Sequence, residues 1–342
     1  METLISSLVR QQVFAIAHAS DVAAARRAGQ RLADELGFSE TRAGKLALIV
    51  TEAGTNILKH AGTGEIHFGP AQTPGDIGID VLAFDSGPGI LDIDACLVDG
   101  MSTAGTAGTG LGALRRLADE FDVYTAPGQG AAFFMRLWRG AAPAAPADLE
   151  LGALWLPMAG EEECGDGWAI SCDARGATLL AADGLGHGPE AAKAAAAAIR
   201  ELEAHKGARA DALMQGAHEA LRGTRGAALA TARIEYGDDE LRFAGVGNIA
   251  GCGFDDGRRA LVSHNGIVGN NMRKVQEFAV DCPPGALVIL HSDGIQTQWD
   301  LKAYPVLLAR TPAIVAGILM RDFIRRRDDA MVLVGRRRGG HA

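Results

Sequence analysis

Long apolar runs are absent from this sequence. No stretch approaches the roughly 18 consecutive apolar residues that a membrane-spanning helix needs. The opening METLISSLVRQQVFAIAHAS lacks the apolar core and the small-residue cleavage site of a leader peptide. From these absences we expect a protein that is neither inserted in a membrane nor exported.

A surplus of positive charge and closely spaced cysteines are also missing. The formal net charge is −9 at pH 7, which argues against the phosphate backbone of a nucleic acid as the main partner. The five cysteines are dispersed and include no CxxC pair, a pattern typical of reduced thiols. We therefore expect a cytoplasmic protein with no nucleic-acid partner.

The length of the chain indicates two domains, since 342 residues are enough for two of ordinary size. The stretch RGAAPAAPADLE is rich in Ala and Pro and predicts a semi-rigid linker. We place a first domain at residues 1–139, the linker at 140–149 and a second domain at 150–342.

Aspartates mark the second half of the chain. They occur in CGDGW, ADGLGHG, HSDGI and RRDDA, as Asp166, Asp183, Asp293, and Asp328 with Asp329. Each motif adjoins an apolar, strand-like run, and carboxylates at strand ends can converge on one edge of a sheet. Oxygen ligands of this kind suit Mg²⁺ or Mn²⁺. A single Asp-Gly is more often an ordinary turn, so the prediction depends on the complete set.

This set resembles the PPM family of metal-dependent Ser/Thr protein phosphatases, especially its bacterial SpoIIE/RsbU/RsbX branch. The motif DGLGHG and the terminal DDA are most similar to RsbX, and the resemblance covers about residues 150–337. It implies a PPM-type α-β-β-α sandwich, with two stacked sheets flanked by helices and two Mn²⁺ or Mg²⁺ ions at one sheet edge.

The resemblance also implies roles for individual residues. Asp183 would bridge both metals, and the carbonyl of Gly184 would join it. Asp166 would serve the site on one side, while Asp293 and Asp328 would hold the other ion. Water would attack a phosphoserine or phosphothreonine directly, so no Cys or Ser nucleophile is needed. The second Asp of the DDA motif is equally well explained as a turn or cap carboxylate.

The first half of the chain contains a polar helix face. The segment SETRAGKLALIVTEAGTNILKHAG predicts one helix, with Ser39 as its N-cap. Glu52, Asn56 and His60 follow one another at intervals of four and so share one face. That face suits a Mg²⁺-binding amide beside a carboxylate base, although such a stripe is by itself usually only solvated.

Two glycine-rich motifs follow this helix. IGIDVLAFDSGPGI predicts a strand that runs into Asp85, Gly87 and Gly89. STAGTAGTGLGALRRLADEF predicts a loop that opens a helix. Backbone N–H groups of such a loop, together with a helix N-terminus, favour phosphate. Alone, the loop could equally be a flexible connection.

Taken in order, these motifs resemble the GHKL (Bergerat) family of ATPases and kinases, within it the anti-sigma-factor-type serine kinases RsbT and RsbW. The resemblance covers about residues 10–139 and implies an α/β sandwich of one mixed sheet under helices. Asn56 would bind Mg²⁺ on ATP, Glu52 would activate the attacking hydroxyl, and Asp85 would accept from the adenine amino group. The implied glycines are Gly87 and Gly89 beside the base, and Gly108, Gly110 and Gly112 in the phosphate lid. His60 fits a structural role better than a catalytic one.

One departure from the GHKL pattern concerns the adenine pocket. The family usually has a Thr after the Gly-x-Gly that begins at Gly128, and here Ala131 and Ala132 follow. The lost hydroxyl removes one hydrogen bond, worth roughly 0.5–1.5 kcal/mol, and predicts weak ATP binding. A phosphoacceptor-His segment with a helical pair is absent, so a two-component histidine kinase is not expected.

The sequence therefore predicts an α/β (α+β) chain with two opposing activities. The C-terminal domain would dephosphorylate a small STAS-domain anti-sigma-factor antagonist, and the GHKL domain would phosphorylate the same or a related protein. Two alternatives remain: a GHKL domain that only senses ATP or docks a partner, and an anti-sigma factor with a degenerate phosphatase. The sequence is compatible with a homodimer. It also predicts a hairpin-rich segment at LRFAGVGNIAGCGF, with Asn248 in a turn.

Overall fold

The chain forms two compact units, each assembled from parts that are not contiguous in sequence. The computed structural model describes residues 3–8, 11–72, 76–97, 110–142, 148–255, 257–273 and 275–339. The N-terminal unit comprises residues 10–145 and 300–317, and the C-terminal unit comprises residues 1–9, 146–299 and 318–342. The domain limits and the linker predicted above stay predictions.

Both units contain strands. They are β1 (Thr3–Ser6), β2 (Gln12–Ile16), β3 (Gly64–Gln72), β4 (Ile77–Asp85), β5 (Glu120–Thr125), β6 (Ala131–Trp138), β7 (Leu149–Leu156), β8 (Asp166–Cys172), β9 (Gly176–Gly184), β10 (Ala227–Glu235), β11 (Glu240–Val246), β12 (Ala250–Phe254), β13 (Arg258–Leu261), β14 (Phe278–Asp281), β15 (Leu287–His291) and β16 (Ala330–Arg337).

The helices differ widely in length. They are α1 (Ala19–Glu35), α2 (Glu40–Asn56), α3 (Ile93–Leu97), α4 (Gly110–Leu117), α5 (Pro189–Ala204), α6 (Ala210–Ala220) and α7 (Pro312–Phe323). A π-helical turn at Ile57–Ala61 continues α2, and two short 3₁₀ turns lie at Leu301–Ala303 and Leu307–Ala309. In the described part of the chain, no helix has both the length and the apolar character needed to cross a bilayer.

The N-terminal unit is built on a five-stranded sheet in the order β2-β3-β4-β6-β5. Its strand pairings are all antiparallel across the described residues. The mixed sheet expected from the sequence is therefore wrong in this detail. The reason is that β6 lies between β4 and β5, which run parallel to each other but hydrogen-bond only with the antiparallel β6 on that side.

One face of this sheet packs against α1 and α2. The helix prediction is confirmed: Ser39 caps α2 by accepting a hydrogen bond from the backbone N of Arg42. Side chains alternate along β4, so that Val81 joins the core with α2 while Leu82 points to the opposite face. Leu82 is nevertheless buried, at 4% exposure, so both faces of the sheet are covered.

The C-terminal unit contains two sheets. One has six strands in the order β1-β8-β9-β10-β11-β14, and the other has five in the order β13-β12-β15-β16-β7. Apolar side chains from both sheets form one core, in which Trp155 on β7 meets Trp168 on β8 at 5.5 Å between ring centroids. The stacked sheets expected from the sequence are confirmed.

Helices α5 and α6 cover the outer face of the six-stranded sheet. Pro189 occupies the first turn of α5, because its fixed φ suits that position. Leu180 and Ala182 on β9 pack with Ala194 and Ala198 of α5. The alternate residues of β9 face the other sheet, so this one strand joins both layers of the core.

The hairpin-rich segment predicted at LRFAGVGNIAGCGF is present, since β11 forms a hairpin with β10 and β12 forms one with β13, but β11 and β12 do not pair with each other. Strand β11 belongs to the six-stranded sheet and β12 to the five-stranded sheet. Gly247 lies between them with φ of +99°, a left-handed conformation that lets the chain leave one sheet for the other. The next residue, Asn248, is therefore carried to the edge where the two sheets meet.

Candidate active sites

The first pair of predicted metal ligands lies on neighbouring strands. Asp166 opens β8, Asp183 is the last residue but one of β9, and the antiparallel register pairs them directly. Paired residues on such strands point to the same face, with Cα atoms roughly 4.5–5.5 Å apart. The sheet thus brings together two carboxylates that are 17 positions apart (183 − 166) in the sequence.

Burial and like charge dominate the electrostatics of this pair. Asp166 is 4% exposed and accepts a hydrogen bond of 2.6 Å from Ser292 Oγ. Burial raises the pKa of Asp166 well above its usual range, and the charge of Asp183 adds to the rise. Burial and the charges of Asp293 and Asp328 raise the pKa of Asp183 to about 7. A cation would relieve this repulsion.

Asp293 approaches the pair from the second sheet. It follows β15 and precedes Gly294, whose position leaves no room for a side chain because a Cβ there would lie 2.0 Å from the carbonyl oxygen of Asp329. This close approach sets the turn of Asp293 against the start of β16. Asn248 Nδ2 donates a hydrogen bond of 2.7 Å to Asp293 Oδ2.

The two aspartates before β16 have different environments. Asp329 is 3% exposed, and its two carboxylate oxygens accept backbone N–H groups from Met158 at 2.8 Å and Gly165 at 2.9 Å. Asp328 is exposed and accepts a hydrogen bond of 2.9 Å from the backbone N of Asp329. Asp329 is thus occupied in holding two loops together, whereas Asp328 is available to a ligand.

Gly184 connects the aspartate pair to α5. A Cβ on Gly184 would lie 2.1 Å from the carbonyl oxygen of Ala191, so only glycine permits the helix to approach the end of β9 this closely. Gly186 and Gly188 then adopt φ of +87° and +72°. The loop DGLGHG is therefore a tight turn that leads from Asp183 directly into the first turn of α5.

The donor chemistry suits a hard divalent ion, since the converging atoms are carboxylate and carbonyl oxygens. Within the described ranges, no three His, Cys, Asp or Glu side chains already stand at metal-binding spacing. Ser292 donates a hydrogen bond to one oxygen of Asp166, and Asn248 donates one to an oxygen of Asp293. The assignment of Asp166, Asp183, Gly184, Asp293 and Asp328 as ligands stays a prediction.

The second candidate site is at the C-terminal end of α2. Glu52 and Asn56 are both half-buried there. Asn56 Nδ2 is buried and has no hydrogen-bond partner among the described residues, and such an orphaned amide fits a residue that binds a ligand. His60 lies beyond them on the exposed π-helical turn, which agrees with its exclusion from the predicted catalytic set.

The strand-to-turn motif DSGPG forms a compact loop at the end of β4. The backbone N of Gly87 donates to Asp85 Oδ1 at 2.8 Å. Gly89 has φ of +75°, and a Cβ there would lie 2.1 Å from the carbonyl oxygen of Ala126. Gly89 therefore allows this loop to touch the turn before β6, while Gly87 allows it to approach Ala61 closely.

Alanine occupies the position where the family pattern has Thr, and this position lies on β6, between β4 and β5. Ala131 pairs with Asp85 on one side and with Thr125 on the other. The hydroxyl of Thr125 donates to the carbonyl of Gly130 at 3.0 Å and accepts from the backbone N of Ile90 at 2.8 Å. Because that hydroxyl is used within the two loops, it does not substitute for the missing one.

The predicted phosphate lid is described only in part. Gly108 lies outside the described residues, whereas Gly110 begins α4 and Gly112 lies in its first turn. Leu114 of α4 is fully buried in the core of the unit. The described part of the predicted helix therefore begins at Gly110, and the predicted loop before it lies outside the described residues.

Two residues of the phosphatase site were not predicted to function there. Ser292 directly precedes Asp293, and its position inside the motif HSDGI is the signal that could have identified it. Asn248 was expected only to form a turn. Its contact with Asp293 depends on a change of sheet that the local pattern does not reveal.

Comparison with known families supports both halves of this description. The family model for the histidine kinase-like ATPase domain matches residues 16–136, and that for stage II sporulation protein E (SpoIIE) matches residues 173–338. The serine/threonine-protein kinase RsbT of Bacillus subtilis (strain 168) is 38% identical over 110 residues, which are 32% of this chain and 83% of that protein.

Solved structures resemble the chain as well. A chain from "The bacterial stressosome: a modular system that has been adapted to control secondary messenger signaling" is 33% identical with a TM-score of 0.52, covering 56% of this chain and 100% of that one. RsbX in complex with magnesium is 19% identical with a TM-score of 0.51, covering 56% and 96%.

The PP2C phosphatase domain of SpoIIE from Bacillus subtilis, with a fragment of its regulatory domain, is 19% identical with a TM-score of 0.50, covering 94% of each chain. This likeness and that to RsbX concern the fold. Together with the family matches, they support enzymatic activity of the phosphatase and kinase types. The chain thus belongs through its N-terminal unit to the family of the serine/threonine kinase RsbT, and its C-terminal unit is a SpoIIE-type phosphatase domain with the PP2C fold.

Proposed function

We propose that this protein is a bifunctional regulator of a partner-switching pathway, with opposing phosphatase and kinase activities. The C-terminal unit would remove phosphate from a phosphoserine or phosphothreonine of a STAS-domain antagonist protein. The N-terminal unit would phosphorylate the same protein or a related one. The family of RsbT and the SpoIIE-type domain support this pairing of activities.

The observation that carries the phosphatase proposal is the cross-strand pairing of Asp166 with Asp183. Asp293 is brought to the same edge from the other sheet and is linked to it by Asn248. When bound there, two Mn²⁺ or Mg²⁺ ions would supply an activated water and neutralise the phosphoryl group. Asp183 would bridge them, with the Gly184 carbonyl beside it, and Asp328 would complete the set.

The residues around these carboxylates would keep them in position. Ser292 holds Asp166 through its hydroxyl, and that same oxygen accepts the backbone N of Met331 at 2.9 Å. Asp329 would act through structure rather than as a ligand, because both of its oxygens are already bound to backbone N–H groups. The site is therefore supported from both sheets.

For the kinase proposal, the orphaned amide of Asn56 is the supporting observation. Asn56 would hold the Mg²⁺ of bound ATP, and Glu52, one helical turn earlier, would take the proton from the attacking hydroxyl. Asp85 would accept from the adenine amino group, with Gly87 and Gly89 beside the base. The glycines of the phosphate lid would bind phosphate through backbone N–H groups.

A second candidate function is favoured by the replacement at Ala131. The pocket has one hydroxyl fewer than the family pattern, and Thr125 is already engaged elsewhere. With weaker nucleotide binding, the N-terminal unit would serve as an ATP sensor or docking module that controls the phosphatase. The partner would remain the same STAS-domain protein, in the cytoplasm, with a homodimer as one arrangement of the regulator.

One experiment distinguishes these functions. The protein would be incubated with STAS-domain proteins from its own genome, with ATP in one series and with Mn²⁺ in the other, and the products measured by intact mass. A gain of one phosphate with ATP supports the kinase, and its loss with Mn²⁺ supports the phosphatase. Loss of phosphate with Mn²⁺ but no gain with ATP supports the sensor. If neither the gain nor the loss is observed, the proposal is contradicted.

A further inference from the structure

The segment of residues 300–317 lies in one unit although its neighbours in sequence lie in the other. It follows Asp293 and precedes Asp328, which are both proposed to hold metal in the C-terminal unit. The segment itself belongs to the N-terminal unit. A piece of chain between two phosphatase carboxylates is therefore part of the nucleotide-binding unit.

Polar contacts attach one end of the segment to β5. Asp122 Oδ2 accepts the backbone N of Thr311 at 2.7 Å, and its Oδ1 accepts Arg310 Nη1 at 3.3 Å. A Cβ on Gly317 would lie 2.8 Å from the side chain of Leu82 on β4, so the segment also packs closely on the sheet face opposite α1 and α2.

The other end of the segment contacts the turn between β5 and β6. Gln129 Nε2 donates to the carbonyl of Ala303 at 3.0 Å. The hydroxyl of Tyr124 donates to Gln129 Oε1 at 2.7 Å, and the ring of Tyr124 lies 6.3 Å from that of Tyr304. Tyr124 is 1% exposed, so this contact is anchored in the core of the unit.

That same turn forms one wall of the proposed adenine pocket. The backbone N of Gly128 donates to the carbonyl of Pro88 at 2.8 Å, within the DSGPG loop. Gly130, with φ of +67°, would place a Cβ 2.1 Å from the carbonyl oxygen of Asp85. Residues 126–130 therefore touch the loop that would recognise the base on one side and the 300–317 segment on the other.

The residues that flank the segment on its two sides, 294–299 and 318–325, are hydrogen-bonded to each other next to Asp293. On the entry side, the indole N–H of Trp299 donates to His291 Nε2 at 3.2 Å. On the exit side, the backbone N of Gln296 donates to the carbonyl of Phe323 at 2.9 Å, and that of Arg325 to the carbonyl of Gly294 at 2.8 Å. Displacement of the segment would therefore act on the turn that carries Asp293.

We propose that the 300–317 segment couples adenine nucleotide binding to the phosphatase centre, an inference that rests on the proposed function of both sites. Nucleotide at Asp85 would favour one arrangement of the 126–130 turn, and Gln129 would pass that preference to the segment. A ligand shifts such an equilibrium only through different affinities for the two arrangements. The turn meets this condition because it contacts both the pocket and the segment.

The test compares two aspartates in matched settings. Asp122→Ala removes a carboxylate that binds one arginine and one backbone N–H of the segment. The control Asp119→Ala removes a carboxylate that likewise binds one arginine, Arg42, and one backbone N–H, that of Trp138, but no part of the segment. Hydrolysis of para-nitrophenyl phosphate would be measured at constant free Mn²⁺, with and without a non-hydrolysable ATP analogue.

We expect the analogue to change the rate of the wild-type protein and of Asp119→Ala by about fivefold or more, a usual size for coupling between sites. In Asp122→Ala the change should fall below about twofold, with calorimetry showing that the analogue still binds. Tyr124→Phe loses only the hydroxyl that donates to Gln129 and should give an intermediate response. This variant also tests the coupling if Asp122→Ala does not fold. By reciprocity, the factor by which the analogue changes the wild-type affinity for Mn²⁺ should equal the factor by which Mn²⁺ changes the affinity for the analogue.

An equal response of Asp122→Ala and wild type, or a wild type that binds the analogue without any change in rate, would overturn the coupling. A protein that binds no adenine nucleotide would overturn both the coupling and the nucleotide site. Asp293→Asn distinguishes failure of the coupling from failure of the phosphatase assignment. If that variant hydrolyses para-nitrophenyl phosphate normally, the phosphatase assignment is wrong. If it is inactive while the wild type ignores bound analogue, only the coupling fails.

Discussion

A single amide links the carboxylates of the two sheets. Asn248 donates a hydrogen bond of 2.7 Å to Asp293, which follows a strand of the five-stranded sheet. The same side chain also opposes the rise in the pKa of Asp183, on the six-stranded sheet, that burial and neighbouring charges cause. Asn248 thus lies at the point where the two halves of the proposed metal site meet.

Replacement of Asn248 by Ala should weaken metal binding. Without the amide, Asp293 loses a donor that limits its orientation, and hydrogen bonds to charged groups contribute about 1.5–3 kcal/mol. The Mn²⁺ concentration for half-maximal hydrolysis should rise about tenfold or more, while the rate at saturating Mn²⁺ changes less. Asn270→Ala, at an exposed position, is the control; an unchanged Mn²⁺ requirement in Asn248→Ala would contradict the role.

Replacement of Asp183 or Asp293 by Asn should abolish phosphatase activity. Loss of one carboxylate would weaken metal binding and the activation of water together. The metal-free variants should melt above the wild type, because one of several neighbouring negative charges is removed; each kcal/mol gained corresponds to about 2–4 °C. Near-normal hydrolysis at saturating Mn²⁺ would rule out the metal assignment. Melting scans of the variants and the wild type in the presence of a chelator check the expected rise in melting temperature.

The two aspartates before β16 should respond differently to Ala. Asp329→Ala leaves two backbone N–H groups without acceptors, at a cost of about 1–3 kcal/mol for each one that stays buried, so melting should fall by several degrees. Asp328→Ala should leave melting unchanged and raise the Mn²⁺ requirement. Parallel melting scans and metal titrations of the two variants check this. The reverse pattern would make Asp329 the ligand.

Glu52→Ala and Asn56→Ala should impair phosphotransfer and leave hydrolysis of para-nitrophenyl phosphate intact. Asn56→Ala should also weaken Mg-ATP binding, since its amide would hold the ion, whereas Glu52→Ala should mainly slow the chemical step. Phosphate transferred to a STAS-domain protein would be counted by intact mass, with His60→Ala as an exposed control near the same helix end. If no variant differs from an inactive wild type, the sensor function is favoured.

Asp85 should select adenine over guanine. A carboxylate accepts a hydrogen bond from the adenine amino group. Opposite guanine it would meet a carbonyl oxygen, and two acceptors without a donor cost roughly 1–3 kcal/mol. ATP should therefore bind about tenfold to a hundredfold better than GTP, and Asp85→Ala should lose both affinity and preference. Calorimetry at high protein concentration suits the weak binding expected from Ala131. Equal affinity of the wild type for ATP and GTP would remove the basis for an adenine site.

Local signals in the sequence predicted the elements that carry the candidate sites. Ser39 before an apolar repeat marked the start of α2, and Pro189 marked the start of α5, because capping and φ preferences act within one turn. Asp-Gly motifs after apolar runs placed Asp183 and Asp293 at strand ends. These features depend on neighbours in sequence, so one chain suffices to predict them.

Long-range pairing was beyond such signals. The change of sheet at Gly247 and the docking of Thr311 on Asp122 depend on residues far apart in the chain. A short strand such as β11 has the same alternation of apolar residues whether the next strand pairs with it or with the opposite sheet. The sequence therefore predicted hairpins here but not the change of sheet between β11 and β12, and the role of Asn248 was missed with it.

Strand β1 determines where the chain can be divided. Residues 3–6 pair with β8 along Cys172 to Ala169, and Ser7 extends the contact through hydrogen bonds to the backbone of Trp168. A fragment that starts at the predicted linker would lack this strand and would present the bare N–H and C=O groups of β8, an edge that invites aggregation. Addition of a peptide spanning residues 1–9 should restore its solubility, as one half of a split protein complements the other.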